Sequence, residues 1–391
     1  MKILFLSRDY PPNAVGGVGT YIYEISRLLC RMGHRAFVIT HTDDLPLEYT
    51  DRGVRVFRVK PKKIKFLSNC RPRINGLVER LEYSLAVSEK MRELFKREQI
   101  DIVESCEARA EGFWHYLFRK TPPLIIKLHT PETLIFKLDH PPLRYDYALI
   151  KLLEKFWISR AALKIGISKE VVDLTARHFS LDLSGISLIP NPVDLELFKP
   201  SDKPIEADNF DILYAGRLEF RKGVHTLMRA FLRVQEKIPE ARLILVGADC
   251  GMKPYLQDKA AQLKDPQKVI FVGYVSRCEL VSYYQGSAVC IVPSIWENYP
   301  YVCLEAMACG KAVIASRLGG IKEMINHADN GLLFSPGSTK ELSEQIINLL
   351  KDRQKMSRLG RNARKYMEEK FNPETIARKT LSIYEKLVEV N

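Results

Sequence analysis

The sequence predicts an α/β protein of two consecutive Rossmann-like domains, each built on a parallel β-sheet and facing the other across a deep cleft. The chain opens with an apolar strand, a Pro/Gly-rich loop, an amphipathic helix and a second apolar strand, which is the order of a parallel βαβ unit. The same alternation starts again after a proline-rich stretch at 189–204. A chain of 391 residues also exceeds what one ordinary core accommodates, so two domains are expected.

Strands and helices alternate through both halves. In the first half, apolar runs predict strands in KILFLS, HRAFVITH, VRVFRV, DIVESC, LIIKLHT and LKIGIS, and the first helix is expected over 20–32. In the second half, the predicted strands are FDILYAG, ARLILVG, KVIFVGYV, AVCIVPS and KAVIAS, and the predicted helices cover 223–237, 254–264, 277–286 and a run from about residue 301. These elements place an N-terminal domain at 1–188, a C-terminal domain at 189–371 and a last helix in 372–391.

Charge and cysteine usage narrow the class of protein. A formal net charge of +13 favours polyanionic partners such as nucleotide phosphates, anionic lipid or nucleic acid. The eight cysteines include no CxxC pair and lie mostly in apolar runs. This usage favours reduced thiols in a cytoplasmic protein over a disulfide framework or a zinc site. No apolar run approaches the ~20 residues that span a bilayer, and the opening run fits a buried strand better than a signal peptide.

Two glycine-rich loops follow predicted strands, where parallel sheets bind ligands beside helix N-termini. GRLEFRKG (216–223) carries Arg217 and Lys222, and fixed positive charge at such a loop suits a diphosphate. An exposed basic turn is the alternative, and the loop alone does not decide between the two. In PPNAVGGVGTY, Gly16 and Gly17 would let the backbone approach a phosphate. Neither GxxxxGK[ST] nor a complete GxGxxG is present, so by itself this loop favours a plain glycine turn.

Two glutamates stand in the apolar and small-residue run SIWENYPYVCLEAMACG (294–310). Glu297 is predicted on a loop, with the next helix beginning near Tyr301 and Glu305 about one turn inside it, on the cleft-facing side. Carboxylates so placed suit hydrogen bonds to the vicinal hydroxyls of a sugar or a ribose. The alternative is a capping interaction for Glu297 and a buried ion pair for Glu305, and spacing alone favours that alternative.

Taken together, these pieces resemble the retaining GT-B glycosyltransferases of glycosyltransferase family four, also called group 1. The run SIWENYPYVCLEAMACGKAVIASRLGGIKEMI resembles their donor-site signature, with its Glu-x7-Glu spacing. Other motifs match in order along nearly the whole chain: the PP…GGVGTY loop, the LHT turn, the IPNPVD linker, GRLEFRKG and NGLLF. Pro192 departs from the glycine usual in the linker, which bears on the hinge rather than on the chemistry. The resemblance implies that the last helix crosses back to the N-terminal domain.

The resemblance also implies site residues. The implied catalytic residues are His129, Arg217, Lys222 and Glu297. The implied donor-binding residues are Gly16, Gly17, Arg217, Lys222, Tyr274, Val275, Glu297, Asn298, Tyr301, Val302 and Glu305. The two cations would clamp the diphosphate, Glu305 would bind the ribose hydroxyls, and Glu297 would contact the transferred sugar and stabilise charge at the reacting carbon.

The remaining implied roles belong to backbone groups and to one histidine. The backbone of 298–302 would contact sugar and phosphate, that of Tyr274 and Val275 would contact the base, and Gly17 would close on the phosphates from the first domain. His129 would face the sugar and the attacking acceptor, with a core or turn histidine as the alternative.

The expected activity is therefore that of a hexosyltransferase. It would transfer a sugar from a UDP-sugar or GDP-mannose to a hydroxyl of a glycan, a lipid-linked glycan or a small molecule, with retention. No Asp-x-Asp pair is present, so we expect no divalent metal and no cofactor, the cations and a helix N-terminus taking the leaving charge. The alternatives are another GT-B enzyme, such as an epimerase or a glucan synthase, and a basic nucleic-acid-binding protein. No RNA-binding motif appears, so no nucleic-acid partner is expected.

The segment 52–73 has the strongest local charge bias, with nine Lys or Arg and no acidic residue. Ile64, Phe66 and Leu67 are interleaved with the basic residues. This pattern suits contact with an anionic membrane, which predicts peripheral association with the cytoplasmic membrane face. A strand edge and loop kept soluble by lysines is an equally favoured alternative.

Overall fold

The computed structural model describes residues 1–12, 16–44, 47–139, 146–202 and 209–390. The chain divides into unit 1, Met1–Pro192 with Pro373–Asn391, and unit 2, Val193–Asn372. Each unit carries one mainly parallel sheet covered by helices, so the predicted fold class of two Rossmann-like domains is confirmed. The predicted boundaries at 188/189 and 371/372 lie within a few residues of these divisions.

Unit 1 alternates strands and helices from its first residue. Its strands are β1 (Lys2–Leu6), β2 (Arg35–His41), β3 (Leu47–Asp51), β4 (Val54–Val59), β5 (Ile102–Cys106), β6 (Leu124–Leu128), β7 (Leu163–Gly166) and β8 (Ser187–Leu188). Its helices are α1 (Gly17–Arg31), α2 (Arg71–Arg97), α3 (Phe113–Tyr116), α4 (Glu132–Asp139), α5 (Tyr147–Arg160) and α6 (Lys169–Phe179), to which the last helix of the chain is added. The order across the sheet is β3-β4-β2-β1-β5-β6-β7-β8.

The pairing in unit 1 is parallel except between β3 and β4. The central strands β1 and β6 are nearly continuous apolar runs, whereas β5 carries Glu104 and Ser105 among apolar residues. All three strands are almost entirely buried, as expected when helices cover both faces of a sheet. The edge strand β3 was not predicted because its residues, LEYTD, are mostly exposed and show no apolar run. Helix α1 begins at Gly17, earlier than predicted, because the glycines of the loop already belong to its first turn.

Unit 2 repeats the alternation with parallel pairing throughout its described sheet. Its strands are β9 (Asp211–Ala215), β10 (Arg242–Val246), β11 (Val269–Gly273), β12 (Val289–Val292), β13 (Ala312–Ser316) and β14 (Leu332–Phe334), in the order β11-β10-β9-β12-β13-β14. Its helices are α7 (Val224–Lys237), α8 (Lys253–Ala260), α9 (Arg277–Gly286), α10 (Tyr301–Ala308), α11 (Ile321–Met324), α12 (Thr339–Lys351) and α13 (Arg353–Lys370). The core lies between the sheet and helices α7 and α12.

Strand order reverses once in each sheet, and this reversal decides where ligands have access. In unit 1 the chain runs outward from β1 through β2 to β4, then returns to β5 on the other side of β1. In unit 2 it runs from β9 to β11, then returns to β12 beside β9. The loops at the carboxyl ends of the two strands at such a reversal separate, which leaves a crevice for a ligand. The loops at this position in unit 2 are 216–223 and 293–300.

The last helix, α14 (Pro373–Val390), joins unit 1 through a buried polar network. The hydroxyl of Tyr384 donates a hydrogen bond to the carboxylate of Glu104 on β5, which is fully buried. Tyr21 on α1 donates to the same carboxylate at 2.8 Å, and the ammonium of Lys127 lies 3.9 Å from the centroid of the Tyr21 ring. A helix distant in sequence thus satisfies a carboxylate in the middle of the sheet. None of the described helices combines the length and apolarity needed to cross a bilayer.

We predict that Tyr384→Phe destabilises unit 1. The substitution removes one of the two tyrosine hydroxyls that donate to Glu104, and a buried acceptor that loses a donor costs about 1–3 kcal/mol. The measurement is urea unfolding followed by tryptophan fluorescence in a Trp296→Phe background, in which the remaining tryptophans both lie in unit 1. The control is Tyr147→Phe at the start of α5, where the side chain is half-buried and has no hydrogen bond to a buried carboxylate of the described residues, so we expect little change. Equal unfolding midpoints for the two variants would contradict the network's role.

Candidate active site

The contact between Lys222 and Glu297 marks the crevice of unit 2. Lys222 lies in a short 3-10 turn, Phe220–Lys222, after β9, and Glu297 lies on the loop between β12 and α10. The ammonium of Lys222 forms a hydrogen-bonded ion pair with the Glu297 carboxylate. Burial raises the pKa of Glu297, but Lys222 and then Arg221 lower it by more, so the net pKa lies below the ordinary value. The side chains of two predicted catalytic residues therefore meet as a charged pair.

Glycines allow the loops around this pair to touch through their backbones. Gly223 has φ +69°, and a Cβ there would lie 1.8 Å from the carbonyl oxygen of Pro293. After β13, a Cβ on Gly319 would lie 2.6 Å from the carbonyl oxygen of Glu297, and one on Gly320 would lie 2.3 Å from that of Asn298. Two loops thus converge on the segment that carries Glu297, and no side chain fits between them and that segment.

Glu305 lies inside α10 and is almost fully buried. Its carboxylate accepts hydrogen bonds from Arg277 Nη2 at 3.3 Å and from the Tyr284 hydroxyl at 3.2 Å, both on α9. The buried ion pair that was the structural alternative for Glu305 is therefore present. These two donors fix the direction in which the Glu305 carboxylate points. The ribose-binding role of Glu305 stays a prediction.

Arg217 and Tyr274 are the predicted side chains most open to solvent. The side chain of Arg217 is 43% exposed and pairs with Glu219 at 3.2 Å. Tyr274 is 69% exposed and directly follows β11, and Val275 beside it is half-buried. The other predicted donor-binding residues of this unit lie at the start of α10, where Asn298 and Tyr301 are buried and Val302 is half-buried.

The sequence reasoning missed Arg277 and Glu219. Arg277 is the first residue of α9 and reaches Glu305 on α10, a contact that only the folded sheet brings about. Glu219 holds both Arg217 and Arg221, at 3.2 and 2.8 Å. The rule that ligands gather at the carboxyl ends of strands would have drawn attention to Arg277, because it closely follows β11.

In unit 1, His129 follows β6 and is 7% exposed. Its backbone N–H donates to Glu107 Oε1 at 2.7 Å, and its ring lies 5.2 Å from that of Tyr21. Burial lowers the pKa of His129 well below its ordinary value, and the charge of Lys127 lowers it further, so its imidazole is neutral near pH 7.

The predicted glycines of unit 1 lie at the start of α1. Gly16 is the N-cap and Gly17 the first helical residue, while 13–15 of the same loop lie outside the described residues. The glycine that packs most closely here is Gly19, which was not predicted. A Cβ on Gly19 would lie 2.8 Å from the carbonyl oxygen of Asp9.

The basic segment 52–73 is only partly a surface feature. Arg55 pairs with Glu48 and Glu98, and Arg58 is buried and donates to backbone carbonyls that include that of Pro11, at 2.6 Å. Ile64 is buried as well, whereas Phe66 is 76% exposed. The charge count of the segment therefore includes arginines that bind other groups of unit 1. The side chains of 68–73 lie outside the described residues.

Comparisons with known proteins agree with this architecture. A family model described as glycosyltransferase family 4 matches 15–197, and one described as glycosyl transferases group 1 matches 197–366. An uncharacterized glycosyltransferase of Methanocaldococcus jannaschii is 27% identical over 100% of this chain and 99% of its own. The N-acetyl-alpha-D-glucosaminyl L-malate synthase of Bacillus anthracis is 27% identical over 98% of this chain and 97% of its own.

Solved structures share the fold of the whole chain. Sucrose-phosphate synthase from Thermosynechococcus elongatus superposes with a TM-score of 0.82 at 23% identity, covering 100% of both chains. Anabaena HepE in complex with UDP-glucose superposes with a TM-score of 0.73 at 21% identity, covering 99% of this chain and 100% of its own. The fold is that of the GT-B glycosyltransferases. With two family models that together match 15–366, the chain belongs to the group 1 glycosyltransferases and is an enzyme of that class.

We predict that Gly223→Ala disrupts the crevice of unit 2. The added methyl group collides with the Pro293 carbonyl, and the backbone at 223 has a left-handed conformation that alanine disfavours. The two effects together should cost about 3 kcal/mol or more. Gly337→Ala is the matched control, since Gly337 has φ +77° but nothing lies within 4 Å of its Cβ position. That variant should lose only about 1 kcal/mol. Urea unfolding of both variants tests this, and similar losses would show that the loop contact carries no weight.

Proposed function

We propose that this protein transfers a hexosyl group from a nucleotide-sugar, a UDP-sugar or GDP-mannose, to an acceptor hydroxyl, with retention and without a divalent metal. The observation that carries the proposal is the Lys222–Glu297 pair at the strand-order reversal of unit 2, with Glu305 in the following helix. It combines a cation for the leaving diphosphate with carboxylates for hydroxyl groups at the place where such sheets bind ligands.

The leaving group sets the first chemical requirement. Negative charge grows on the diphosphate as the glycosidic bond breaks, and fixed donors that face it stabilise the transition state. Lys222, the partly exposed guanidinium of Arg217 and the N-terminus of α10 supply positive charge here. The sequence contains no Asp-x-Asp pair. These groups support a metal-independent reaction.

The two glutamates take different hydroxyls. Glu297 is held ionised by Lys222, so it can accept hydrogen bonds from the transferred sugar and stabilise positive charge at its anomeric carbon. Glu305, which Arg277 and Tyr284 orient, takes the ribose hydroxyls. The backbone of Tyr274 and Val275 contacts the base.

Retention follows from same-face attack. Since Glu305 serves the ribose, the two carboxylates do not form the flanking pair of a retaining hydrolase. The departing phosphate accepts the proton of the acceptor hydroxyl while the new bond forms on the face that it leaves. His129, with its neutral imidazole, contacts the sugar and the acceptor hydroxyl without adding charge.

The acceptor is a hydroxyl of a glycan, a lipid-linked glycan or a small molecule. The names of two relatives, a glycogen synthase of Mycobacterium tuberculosis and the N-acetyl-alpha-D-glucosaminyl L-malate synthase of Bacillus anthracis, point to acceptors of two of these kinds. The exposed Phe66, flanked by the exposed Lys63 and Lys65, supports a peripheral contact with anionic membrane. Absence of cosedimentation with phosphatidylglycerol vesicles at low salt would rule that contact out.

We predict that one nucleotide among UDP, GDP and ADP raises the melting temperature selectively, and that EDTA leaves this shift unchanged. Binding to the folded state stabilises it by mass action, by about 2.7 kcal/mol at a hundredfold excess over Kd. Arg217→Gln and Glu305→Gln should each weaken binding about tenfold or more, while Arg233→Gln, an exposed charge on α7, should leave it unchanged. A folded protein that no nucleotide stabilises would contradict the donor site.

We predict that turnover retains the anomeric configuration. NMR of the first product formed from an α-linked donor should show an α-linkage, and EDTA should change the rate less than twofold. A β-linked product would exclude same-face attack, and a rate that EDTA abolishes and Mg²⁺ restores would exclude metal independence.

A further inference from the structure

Unit 1 has its own strand-order reversal, between β1 and β5. The loops after these strands, 7–16 and 107–112, carry two arginines and three acidic residues: Arg8, Asp9, Glu107, Arg109 and Glu111. Glu107 accepts the backbone N–H of His129, and the proposed donor chemistry uses none of the other four side chains. The same topological rule that locates the donor site therefore indicates a second place for a ligand, inside unit 1.

Direct contacts bring the residues of this place together. The backbone N–H of Arg8 donates to Glu111 Oε1 at 2.6 Å, and the carbonyl of Arg8 accepts from the backbone N–H of His41 at 3.2 Å. The His41 ring in turn packs edge-on against the ring of Tyr83 on α2, with centroids 5.6 Å apart. We call Arg8, His41, Tyr83, Arg109 and Glu111 the Arg8 cluster.

Two hydrogen-bond donors of the Arg8 cluster are unused. Tyr83 is 5% exposed, yet its hydroxyl makes no hydrogen bond within the described part of the chain. The guanidinium of Arg8 is exposed and forms no ion pair with any described residue. A buried hydroxyl without a partner is costly in a folded protein, which is why such groups commonly face a ligand or an ordered water.

The charges around the Tyr83 hydroxyl keep it a donor. Burial raises the pKa of Tyr83 well above its ordinary value, with Glu111 and Asp9 raising it further and Arg8 and Arg109 opposing them. The hydroxyl therefore keeps its proton across the physiological range, and these four charged groups are the ones that act on it.

The acidic residues of the same loops, all within the described part of the chain, contact other groups and do not pair with the Arg8 guanidinium. Glu111 accepts the Arg8 N–H and, at 3.4 Å, the Ser105 hydroxyl, and burial raises its pKa to about 7, so it carries less than a full charge near neutrality. Asp9 turns towards α1, since its Oδ2 lies 3.5 Å from the Cβ position of Gly16. There its charge complements the helix N-terminus.

The loop after β5 is also strained. Arg109 and Ala110 are consecutive non-glycine residues with φ +68° and +50°. Left-handed backbone at such residues is unfavourable and concentrates at functional sites. Here it accompanies a partly exposed Arg109, whose guanidinium pairs with Glu132 at 2.9 Å.

We infer that the Arg8 cluster binds a phosphate group on the acceptor that receives the sugar. Arg8 supplies a charge-assisted hydrogen bond and Tyr83 a neutral one, with Arg109 adding positive charge from the neighbouring loop. This inference rests on the proposed function in identifying the ligand as the sugar acceptor. Anion binding to unit 1 is measurable whether or not transfer occurs.

The test uses the full-length protein, with glycerol 3-phosphate as the soluble probe and phosphatidylglycerol vesicles as the lipid probe. Both carry a phosphate close to a hydroxyl, so the pair distinguishes a free anion from a headgroup. Binding is followed by calorimetry for the soluble probe and by cosedimentation for the vesicles, at constant ionic strength, with and without a saturating concentration of the nucleotide that the donor assay selects.

We expect saturable binding of at least one probe that persists in the presence of the nucleotide. Arg8→Gln should weaken it tenfold or more and Tyr83→Phe about threefold to tenfold. Arg97→Gln is the matched control, because Arg97 lies next to Glu98, which contacts Lys2 at the opposite edge of the sheet. Tyr83→Phe removes a hydroxyl that has no described partner, so its melting temperature should equal that of the wild type and folding is not at issue.

Three results would overturn the inference. They are no saturable binding of either probe, equal affinity in Arg8→Gln and Arg97→Gln, or a loss of nucleotide affinity in Arg8→Gln that accompanies the loss of phosphate binding. The last would assign Arg8 to the donor. Failure of the proposed function has a different signature, namely absent nucleotide binding and absent sugar transfer while phosphate still binds.

Discussion

Backbone contact between the loops after β9, β12 and β13 is the constraint on which the site of unit 2 depends. Gly223, Gly319 and Gly320 bring these loops to the Pro293–Asn298 segment without a side chain between them. Because parallel strands end at one edge of the sheet, only loops that turn tightly there can approach one ligand together. The glycines thus fix where the Lys222 ammonium and the Glu297 carboxylate lie, and the charges can meet only because the backbones do.

Burial makes the pairing of these charges necessary as well as useful. A carboxylate removed from water is costly unless a cation or hydrogen-bond donors compensate for the lost solvation. Lys222 does this for Glu297, and Arg277 with Tyr284 does it for Glu305. Both carboxylates are therefore orientated before any substrate arrives. Preorganisation of this kind lowers the cost of reaching a charged transition state, because few groups need to reorient during the reaction.

The sequence predicted what depends on local patterns, and it missed what depends on contacts between distant elements. Apolar runs located the central strands, and the start of α10 at Tyr301 followed from the end of the preceding strand. The exposed edge strand β3 has no such run. Nothing in the spacing shows that Arg277 reaches Glu305, or that Arg58 of the basic segment is buried against backbone carbonyls instead of facing a membrane. Charge counts treat every arginine as exposed, and only tertiary structure separates the two uses.

The two strand-order reversals share one geometry but differ in how their basic residues are paired. In unit 2 a cation at the reversal, Lys222, is already paired with a carboxylate of the neighbouring loop. The crevice thus presents a cation and a carboxylate together, which suits a ligand that carries hydroxyls beside its phosphates. In unit 1 a cation in the loop after β1, Arg8, contacts Glu111 of the neighbouring loop through its backbone rather than its side chain. Its guanidinium stays available, and the pKa of Glu111 is raised by burial. Both glutamates lie in a loop at a strand-order reversal, but Glu297 contacts the side chain of a basic residue and Glu111 contacts a backbone N–H. This difference decides whether positive charge remains for an incoming anion.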